Sequence, residues 1–469
     1  MIGNGQRGIL IVGAGSAGLA AAVQAAETGG KVTVVEMHDK PGGVSRHSTG
    51  LIRGSGTFLQ KHLGIKDSWR DDALEMMEQA RFTNDPALIA RLAENSGRTV
   101  DWLRGLGVVF KERIIDMPRI HLILPDGRGL IDVLYKAAEQ QGVEFLFGAR
   151  AVGIILEKNN VAGVEVVRDG KRIEFKADAV VLCTGGVWQG RLLKKYAEDL
   201  KDLIVSYGHP AGGFGDGIQI GKRIGANVVD LDRIIPNVAT FLDGKLQPAP
   251  LGASSSLRHG GGAIFLNRAL DRFVNEDLFY VDFAHQVVEE LRRRREKWVW
   301  EIWDENAREL VPRVDEYIKL GYVEKQVLIL TKSLKELAQA MGVDAQKLEN
   351  SVGKYNSYFE SGIRVDPECG RPLDDLRPLN KPPFYAVRVG VECLSTRGGL
   401  KVDTEARVLH KRGSPIPNLF AAGDDTGGMH GEGYMTGVSL ERAVVYGRIA
   451  GDNAATGKLG ASIKLSSEA

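Results

Sequence analysis

Apolar and polar residues alternate in blocks at the start of the chain. Residues 8–12 (GILIV) form an apolar run that predicts a buried strand, and the alanine-rich segment 19–29 that follows predicts a helix. A second run, KVTVVE at 31–36, predicts another strand, which ends in Glu36. A strand, a helix and a strand in this order are typical of an α/β sheet.

Three further regions have residue patterns that predict secondary structure. The pattern at 85–107 predicts a helix. Residues 143–186 alternate between turn signals and predict a β-meander followed by a buried strand. Residues 213–226 open a further helix.

The middle of the chain changes character. Short strands are predicted near 262–274 and a long charged helix over 283–307, in which Trp298, Trp300 and Trp303 are assigned to packing or an interface. We therefore expect an α/β fold in which a Rossmann-type domain is interrupted by an α+β domain. The predicted boundaries are 1–232 and 384–469 for the first domain and 233–383 for the inserted one.

The turn between the first strand and helix carries the spacing Gly13-x-Gly15-x-x-Gly18. Gly13 allows the tight turn, Gly15 lets a pyrophosphate approach the backbone, and Gly18 permits close packing of helix on strand. Glu36, 18 residues after Gly18, is placed to accept hydrogen bonds from a ribose. These features together predict a dinucleotide site.

The rest of the chain indicates which dinucleotide is bound. A flavoprotein that also binds NAD(P)H usually has a second glycine cradle, but GGFGDG at 212–217 lacks the spacing and follows no apolar strand. The run LFAAGDD at 419–425 closes a late apolar strand on Gly423 and Asp424, which suits an acid that reaches the ribityl hydroxyls of FAD. One FAD, held by both ends of the chain, is therefore favoured over NAD.

The charge balance and the cysteine content limit the kinds of partner and environment that we expect for the chain. The 61 basic and 60 acidic residues nearly cancel, which gives no electrostatic reason to expect nucleic acid or an anionic membrane as partner. The apolar segment 8–26 has the glycine spacing of a nucleotide site, so we do not assign it as a membrane or signal segment. The three cysteines, Cys183, Cys369 and Cys393, form no haem, metal or redox motif and suit a reducing cytoplasm.

With these motifs in order, the chain resembles the flavoprotein family of soluble fumarate reductases, succinate dehydrogenase flavoprotein subunits and 3-ketosteroid dehydrogenases. The resemblance runs from about residue 8 to 455 and rests on VGAGSAG, KPGGVS, VLCTGG, GFGDG, GGAIFLNRALDRFVNE, TRGGLKVDTEARVL and AAGDDTGG. It implies non-covalent FAD, a capping role for the inserted domain, and a glycine-rich loop at 427–439 beside the flavin. The residues assigned to FAD are Gly13, Gly15, Ser16, Ala17, Gly18, Glu36, Met37, Gly42, Gly43, Ser45, Ala151, Val152, Thr184, Gly185, Gly186, Asp216, Gly423, Asp424, Ser439 and Leu440.

The chain departs from the reductases at the substrate. Where reductases of this family have a sequence similar to H-T-M-G-G, residues 395–399 of this chain read S-T-R-G-G. Where they have one similar to H-G-A-N-R, residues 430–434 read H-G-E-G-Y. A histidine and an arginine that bind carboxylates are therefore missing, and Tyr280 stands where the reductases have a proton-donating arginine. Because an unpaired carboxylate in a closed site is costly, fumarate is an unlikely substrate.

Tyrosines at 280 and 434 are similar to those of the 3-ketosteroid dehydrogenases. That resemblance implies that Tyr434, with the backbone N–H of Gly437, donates to a ketone oxygen and that Tyr280 is the general base. Thr436 matches a serine of the Δ4-type members, and no tyrosine before Tyr135 matches the one that Δ1-type members use. A Δ4-type steroid or a smaller cyclic ketone is therefore the expected substrate.

Two alternatives stay open. Arg53, Arg258 and Arg397 suit a carboxylic acid substrate, as in tricarballylate dehydrogenase, with Arg397 or Arg53 as the anion clamp. The other alternative is a flavin-binding protein without turnover. If the protein is an enzyme, its electrons must pass to a separate quinone, protein or dioxygen, since the sequence has neither a haem motif nor a second glycine cradle for a nucleotide.

Overall fold

The computed structural model describes residues 8–112, 114, 118–187, 190–207, 211–232, 234–249, 252, 255–311 and 313–457. The α-helices are α1 Ser16–Glu27, α2 Phe58–His62, α3 Trp69–Gln79, α4 Pro86–Gly105, α5 Gly127–Gln140, α6 Gly190–Tyr196, α7 Asp216–Arg223, α8 Ser255–Arg258, α9 Tyr280–Arg294, α10 Glu305–Leu310, α11 Arg313–Lys319, α12 Leu334–Met341, α13 Ala345–Glu360 and α14 Val438–Thr456. The strands are β1 Ile9–Val12, β2 Val32–Val35, β3 Leu51–Arg53, β4 Ile120–Leu122, β5 Glu144–Leu146, β6 Arg150–Glu157, β7 Asn160–Arg168, β8 Lys171–Lys176, β9 Ala179–Leu182, β10 Ile204–Tyr207, β11 Val228–Val229, β12 Ile234–Leu242, β13 Ile264–Leu266, β14 Trp298–Asp304, β15 Leu328–Thr331, β16 Phe384–Thr396, β17 Gly399–Leu400, β18 Arg407–Leu409 and β19 Pro415–Ala421.

The chain forms two compact units. The first takes residues up to 196, residues 209–234 and those from 395 on, and the second takes 197–208 and 235–394. Strand β10 falls in the second unit because it pairs in parallel with β16. The domain boundaries expected at 232 and 383 stay a prediction beside this division.

A six-stranded sheet forms the core of the first unit, in the order β18-β19-β9-β1-β2-β5. All neighbours run parallel except β18 and β19. Ile11 pairs with Val34 on one side and Val181 on the other, and all three are fully buried. A parallel strand covered on both faces needs a continuous apolar run, which explains the pattern that predicted β1.

Helices α1 and α14 pack on each other in the first unit. A Cβ at Gly447 would lie 2.4 Å from the Ala17 carbonyl oxygen, and one at Gly451 would lie 2.2 Å from that of Ala21. Glycine therefore sets the distance between the two helices. The other predicted elements of this unit, helix α4 and the β6–β7–β8 meander followed by β9, are confirmed.

The second unit has a sheet in the order β10-β16-β14-β13, with β12 and β15 also pairing with β16. The prediction of a continuous helix over 283–307 is wrong here. Helix α9 ends where Arg295 adopts a left-handed conformation with φ 56°, and residues 298–304 form β14 between β13 and β16. Trp300 and Trp303 are buried on that strand rather than on a helix. The aromatic and β-branched side chains of this stretch favour a central strand once a sheet covers them.

Among the described residues, no helix combines the length and the apolar character that crossing a membrane requires.

We predict that Gly18→Ala lowers the free energy of unfolding by at least about 2 kcal/mol. Its Cβ would lie 1.8 Å from the carbonyl oxygen of Gly13, so α1 has to move away from the strand end. Gly105→Ala is the control, because a Cβ there meets nothing within 4 Å and the residue ends α4. Chemical unfolding of the two variants checks this, and equal stabilities would contradict the packing argument.

Candidate active site

The glycine turn after β1 has the geometry of a phosphate cradle. Gly13 has φ 105°, and a Cβ there would lie 2.1 Å from the carbonyl oxygen of Cys183. Gly15 precedes α1, and a Cβ on it would meet only the Gly42 carbonyl oxygen, at 3.9 Å. The backbone is thus forced into a tight turn, while the space before the N-terminus of α1 stays open to a ligand's phosphates.

Glu36 closes the cradle at the end of β2. One carboxylate oxygen accepts the backbone N–H of Ala14 at 2.7 Å, and the other accepts that of His38 at 2.9 Å. The residue is 6% exposed. A carboxylate fixed in this way still has lone pairs for two ribose hydroxyls, so the residues present fit a dinucleotide.

The segment after β2 is tied to the same turn. Gly42 N–H donates to the Ala14 carbonyl at 2.9 Å, and the hydroxyls of Ser16 and Ser45 lie 2.8 Å apart. Met37 follows Glu36 directly, and Gly43 begins the short 3₁₀ helix that carries Ser45. Of the other residues assigned to FAD, Ala151 and Val152 lie on β6, Ala17 and Gly18 open α1, and Ser439 and Leu440 open α14.

Asp425 is a buried acid of this region that the sequence analysis missed. Thr184 donates its hydroxyl to Asp425 at 2.9 Å and its backbone N–H to the same carboxylate, and Gly217 N–H donates to the Thr184 hydroxyl at 2.8 Å. Burial raises the pKa of Asp425 to about 8, against the effect of the Thr184 hydrogen bonds. Asp425 therefore joins the Thr184–Gly186 turn, which follows β9, to the C-terminal part of the chain.

Two acids assigned to FAD have protein partners. The carboxylate of Asp424 pairs with the fully buried guanidinium of Arg442. Asp216 accepts two hydrogen bonds from Arg150, at 2.7 and 2.8 Å. The role of either acid toward FAD stays a prediction.

The glycine-rich loop 427–439 lies close to the backbone of the first unit. A Cβ at Gly431 would be 2.6 Å from the Thr83 hydroxyl, and one at Gly433 would be 2.3 Å from the Gln79 carbonyl oxygen. These two glycines therefore allow contact with the end of α3, a protein contact rather than one with a flat ligand.

Tyr434 lines a small pocket between that loop and α3. The lining is mainly apolar, and its residues are Met76, Gln79, Ala80, Met429, His430, Gly433, Tyr434, Met435 and Val438. The rings of His430 and Tyr434 are 5.5 Å apart. Burial, reinforced by the charges of Arg442 and Arg397, holds the pKa of His430 well below its usual range, so the imidazole is neutral. The pocket thus offers polar but uncharged groups.

Gly437 and Arg53 join the loop to a buried ion cluster. The backbone N–H of Arg53 donates to the Gly437 carbonyl at 3.4 Å, and a Cβ at Gly437 would lie 2.8 Å from the same backbone nitrogen. The Arg53 guanidinium binds Asp72 at 2.6 Å and Glu75 at 2.5 Å. Glu441 lies in the first turn of α14, where burial and the charge of Asp72 raise its pKa well above the usual range. Arg53 is thus committed to acids of the protein, which argues against its prediction as an anion clamp.

Arg397 directly follows β16 and contacts the glycine-rich loop. It is 6% exposed and donates from Nη1 to the carbonyl of Gly431 at 3.2 Å. Thr436, between Tyr434 and Gly437, is half-buried.

Tyr280 belongs to the second unit, where it is the first residue of α9 and half-buried. The guanidinium carbon of Arg258 lies 5.8 Å from the centre of its ring. Arg258 is 4% exposed and donates from Nη1 to the backbone carbonyls of Glu276 and Leu278. Arg258 is one of the three arginines named for the carboxylic acid alternative, and that role stays a prediction.

Comparisons with known proteins agree with this arrangement. Residues 8–440 match the family model described as FAD binding domain. A probable fumarate reductase of Shewanella frigidimarina (strain NCIMB 400) is 32% identical over 461 residues, which cover 95% of this chain and 74% of that protein. The structure also resembles the open conformation of a flavocytochrome c3 fumarate reductase, with a TM-score of 0.80 and 30% identity over 96% of this chain and 78% of the other.

A second structural neighbour has a different substrate. The 3-ketosteroid Δ4-(5α)-dehydrogenase from Rhodococcus jostii RHA1, solved with 4-androstene-3,17-dione, has a TM-score of 0.72 and 25% identity over 95% of this chain and 96% of the other. The glycine cradle, the fixed Glu36 carboxylate and these matches together identify the cofactor as FAD. The chain therefore belongs to the FAD-binding family of the fumarate reductases and is an FAD-dependent oxidoreductase that acts on carbon–carbon bonds.

Proposed function

We propose that the protein desaturates, or in reverse reduces, a carbon–carbon bond next to a ketone, as a 3-ketosteroid dehydrogenase does. The observation that carries this proposal is the half-buried Tyr280, whose ring centre lies 5.8 Å from the guanidinium carbon of the buried Arg258. In this proposal the Tyr280 oxygen is the group that removes the proton.

The proposed reaction divides between two groups of this chain. Tyr280 takes the proton from the carbon next to the ketone, and the Tyr434 hydroxyl, with the Gly437 N–H, donates to the oxygen on which negative charge develops. FAD held by the residues of the first unit would supply the acceptor for the hydride that leaves the neighbouring carbon. The proposal includes the FAD-binding roles that the sequence analysis gave to residues of the first unit.

The surroundings of Tyr434 support an uncharged substrate. Three methionines, a valine and an alanine are among the residues that line its pocket, and the neighbouring His430 is neutral. An apolar ring gains free energy by contact with such a surface, whereas a carboxylate loses its hydration without gaining a counter-charge from these side chains. We therefore infer a cyclic ketone, of the Δ4-steroid type or smaller.

Arg397 supports a second candidate, the oxidation or reduction of a carboxylic acid. Its guanidinium is buried in the first unit near Gly431, and a relative at 32% identity is named as a probable fumarate reductase. Because Asp72 and Glu75 bind the Arg53 guanidinium, this second candidate assigns the anion clamp to Arg397. In either case we propose a separate electron acceptor and a cytoplasmic location.

We predict that Tyr280→Phe lowers kcat for ketone desaturation by about 10² to 10⁴, because the general base is lost while the ring is kept. Bound FAD per chain is expected to stay unchanged. Tyr358→Phe is the control, since that hydroxyl only donates to Glu368 at 2.9 Å. Steady-state assays with an artificial acceptor measure both variants, and full activity in Tyr280→Phe would exclude the proposed base.

We predict that 3-ketosteroids or cyclohexanones bleach the oxidised flavin under anaerobic conditions and that tricarboxylates do not. Tyr434→Phe is expected to slow this reduction by about 10² to 10³, since one donor to the developing oxyanion is removed. Stopped-flow absorbance measures the rate. Bleaching by an acid alone, with Tyr434→Phe as fast as the parent, would move the substrate anchor to Arg397.

A further inference from the structure

The pocket that Tyr434 lines has two walls from distant parts of the chain. Helix α3 supplies one wall with Met76, and the glycine-rich loop supplies the other with Met429. Because the two segments are far apart in sequence, contacts between them set their separation.

Ion pairs hold the helix wall in place. The Arg53 guanidinium binds Asp72 at 2.6 Å and Glu75 at 2.5 Å, and Arg119 binds the Glu75 carboxylate as well. Arg53 is the last residue of β3, and Asp72 is fully buried. Met76 directly follows Glu75, so the ion pairs tie this wall to β3. A change at the pocket is therefore expected to move the loop rather than the helix.

The side chain of Asn84 bridges the two walls. Its Nδ2 donates to the Met76 carbonyl at 3.3 Å and to the Met429 carbonyl at 3.4 Å. A primary amide has two hydrogens, so a single nitrogen can hold two carbonyls. Asn84 is 7% exposed, and water does not readily replace bonds made in such a place. One buried side chain thus joins a backbone atom of each wall.

The neighbours of Asn84 attach the same turn to the loop. The Thr83 hydroxyl accepts the Glu432 N–H at 2.8 Å, and the Asp85 N–H donates to the Gly428 carbonyl at 2.8 Å. The Asp85 carboxylate also accepts two backbone N–H groups in the first turn of α4, which fixes the turn to that helix. Of these three consecutive residues, Asn84 alone is buried.

We propose that Asn84 is a positioning residue that sets the separation of the two walls and with it the width of the Tyr434 pocket. With the bridge present, the loop is held against α3 and the pocket selects a ring that fits between the walls. Without the bridge, the loop moves away from α3 more easily, since its many glycines restrict the backbone little. That the pocket receives the ketone ring rests on the proposed function, whereas the bridge does not.

Amide hydrogen exchange tests the bridge on the FAD-loaded protein without any substrate. We expect the amides of residues 427–437 to exchange about fivefold or more faster in Asn84→Ala than in the parent, because local opening becomes easier when buried hydrogen bonds are lost. Peptides from β1 and α1 should keep the exchange rate of the parent. Mass spectrometry measures both, and equal loop exchange in Asn84→Ala and the parent would overturn the inference.

Asn95→Ala is the matched control. Nδ2 of Asn95 donates at 2.8 Å to the Arg91 carbonyl, one turn earlier in α4, so this variant loses an amide–carbonyl bond that joins no pocket walls. Its loop should exchange as in the parent. A rise equal to that in Asn84→Ala would overturn the specific role of Asn84.

A second variant covers the case in which Asn84→Ala does not fold. Asn84→Leu keeps the branched shape of the side chain and removes the donors, and Oδ1 of Asn84 has no hydrogen-bond partner to lose among the described residues. The loop of Asn84→Leu is expected to exchange about fivefold or more faster than that of the parent. An unchanged rate overturns the inference.

Selection by substrate size is measured on the same proteins. We expect the ratio of kcat/KM for a 3-ketosteroid to kcat/KM for cyclohexanone to rise about threefold or more in Asn84→Ala and to stay unchanged in Asn95→Ala, since a wider pocket favours the larger ring. A general loss of stability would lower both values alike and leave the ratio unchanged. An unchanged ratio overturns the role in pocket width, even with faster exchange. No ketone turnover in the parent, with the expected exchange, rejects the ketone function and leaves the bridge between the walls standing.

Discussion

The first unit depends on how closely α1 approaches its neighbours. At its start, Gly18 brings the helix onto the carbonyl of Gly13, and along its length Gly447 and Gly451 bring α14 onto Ala17 and Ala21. Close helix–helix contact of this kind leaves no room for side chains. This contact fixes the phosphate cradle, which directly precedes α1, relative to the loop with Tyr434, which directly precedes α14. The N-terminal and C-terminal parts of the chain are thereby packed into one unit.

Each unit buries an arginine, but with opposite electrostatic results. Asp72 and Glu75 neutralise Arg53, and the neutral Glu441 adds no further charge. Arg258 is held by backbone carbonyls instead, so its positive charge is available to a neighbouring group. A buried guanidinium paired with acids ties segments together, while one held by dipoles acts as a local field.

The sequence predicted the parts of the structure that depend on local pattern. The β1–α1–β2 order, the glycine turn and Glu36 follow from periodicity and spacing, because a buried parallel strand and a tight turn each restrict the residues they accept. Strand β14 could not be found in this way. Its charged preceding helix and its three tryptophans suited a helix, and only pairing with β13 and β16, far away in sequence, decides otherwise.

The sequence likewise predicted only part of the candidate site. Tyr280 and Tyr434 were assigned through motifs. Asp425 stands in a motif too, beside Asp424, but only its burial and its hydrogen bond from Thr184 distinguish it. Likewise, Arg53, Arg258 and Arg397 look alike as sequence. Their partners alone separate a structural ion pair from a charge that can act on a ligand or a base.

The discontinuity of the first unit has a consequence for biosynthesis. Residues 235–394 leave the ribosome as one continuous stretch, so most of the second unit can fold while the nascent chain still lacks β18, β19 and α14. Until α14 emerges, the apolar face of α1 that it covers stays open to water and chaperones. The packing of α14 on α1 therefore belongs to the last moments of translation or after it, and premature termination before residue 438 leaves the glycine turn and α1 with no partner helix.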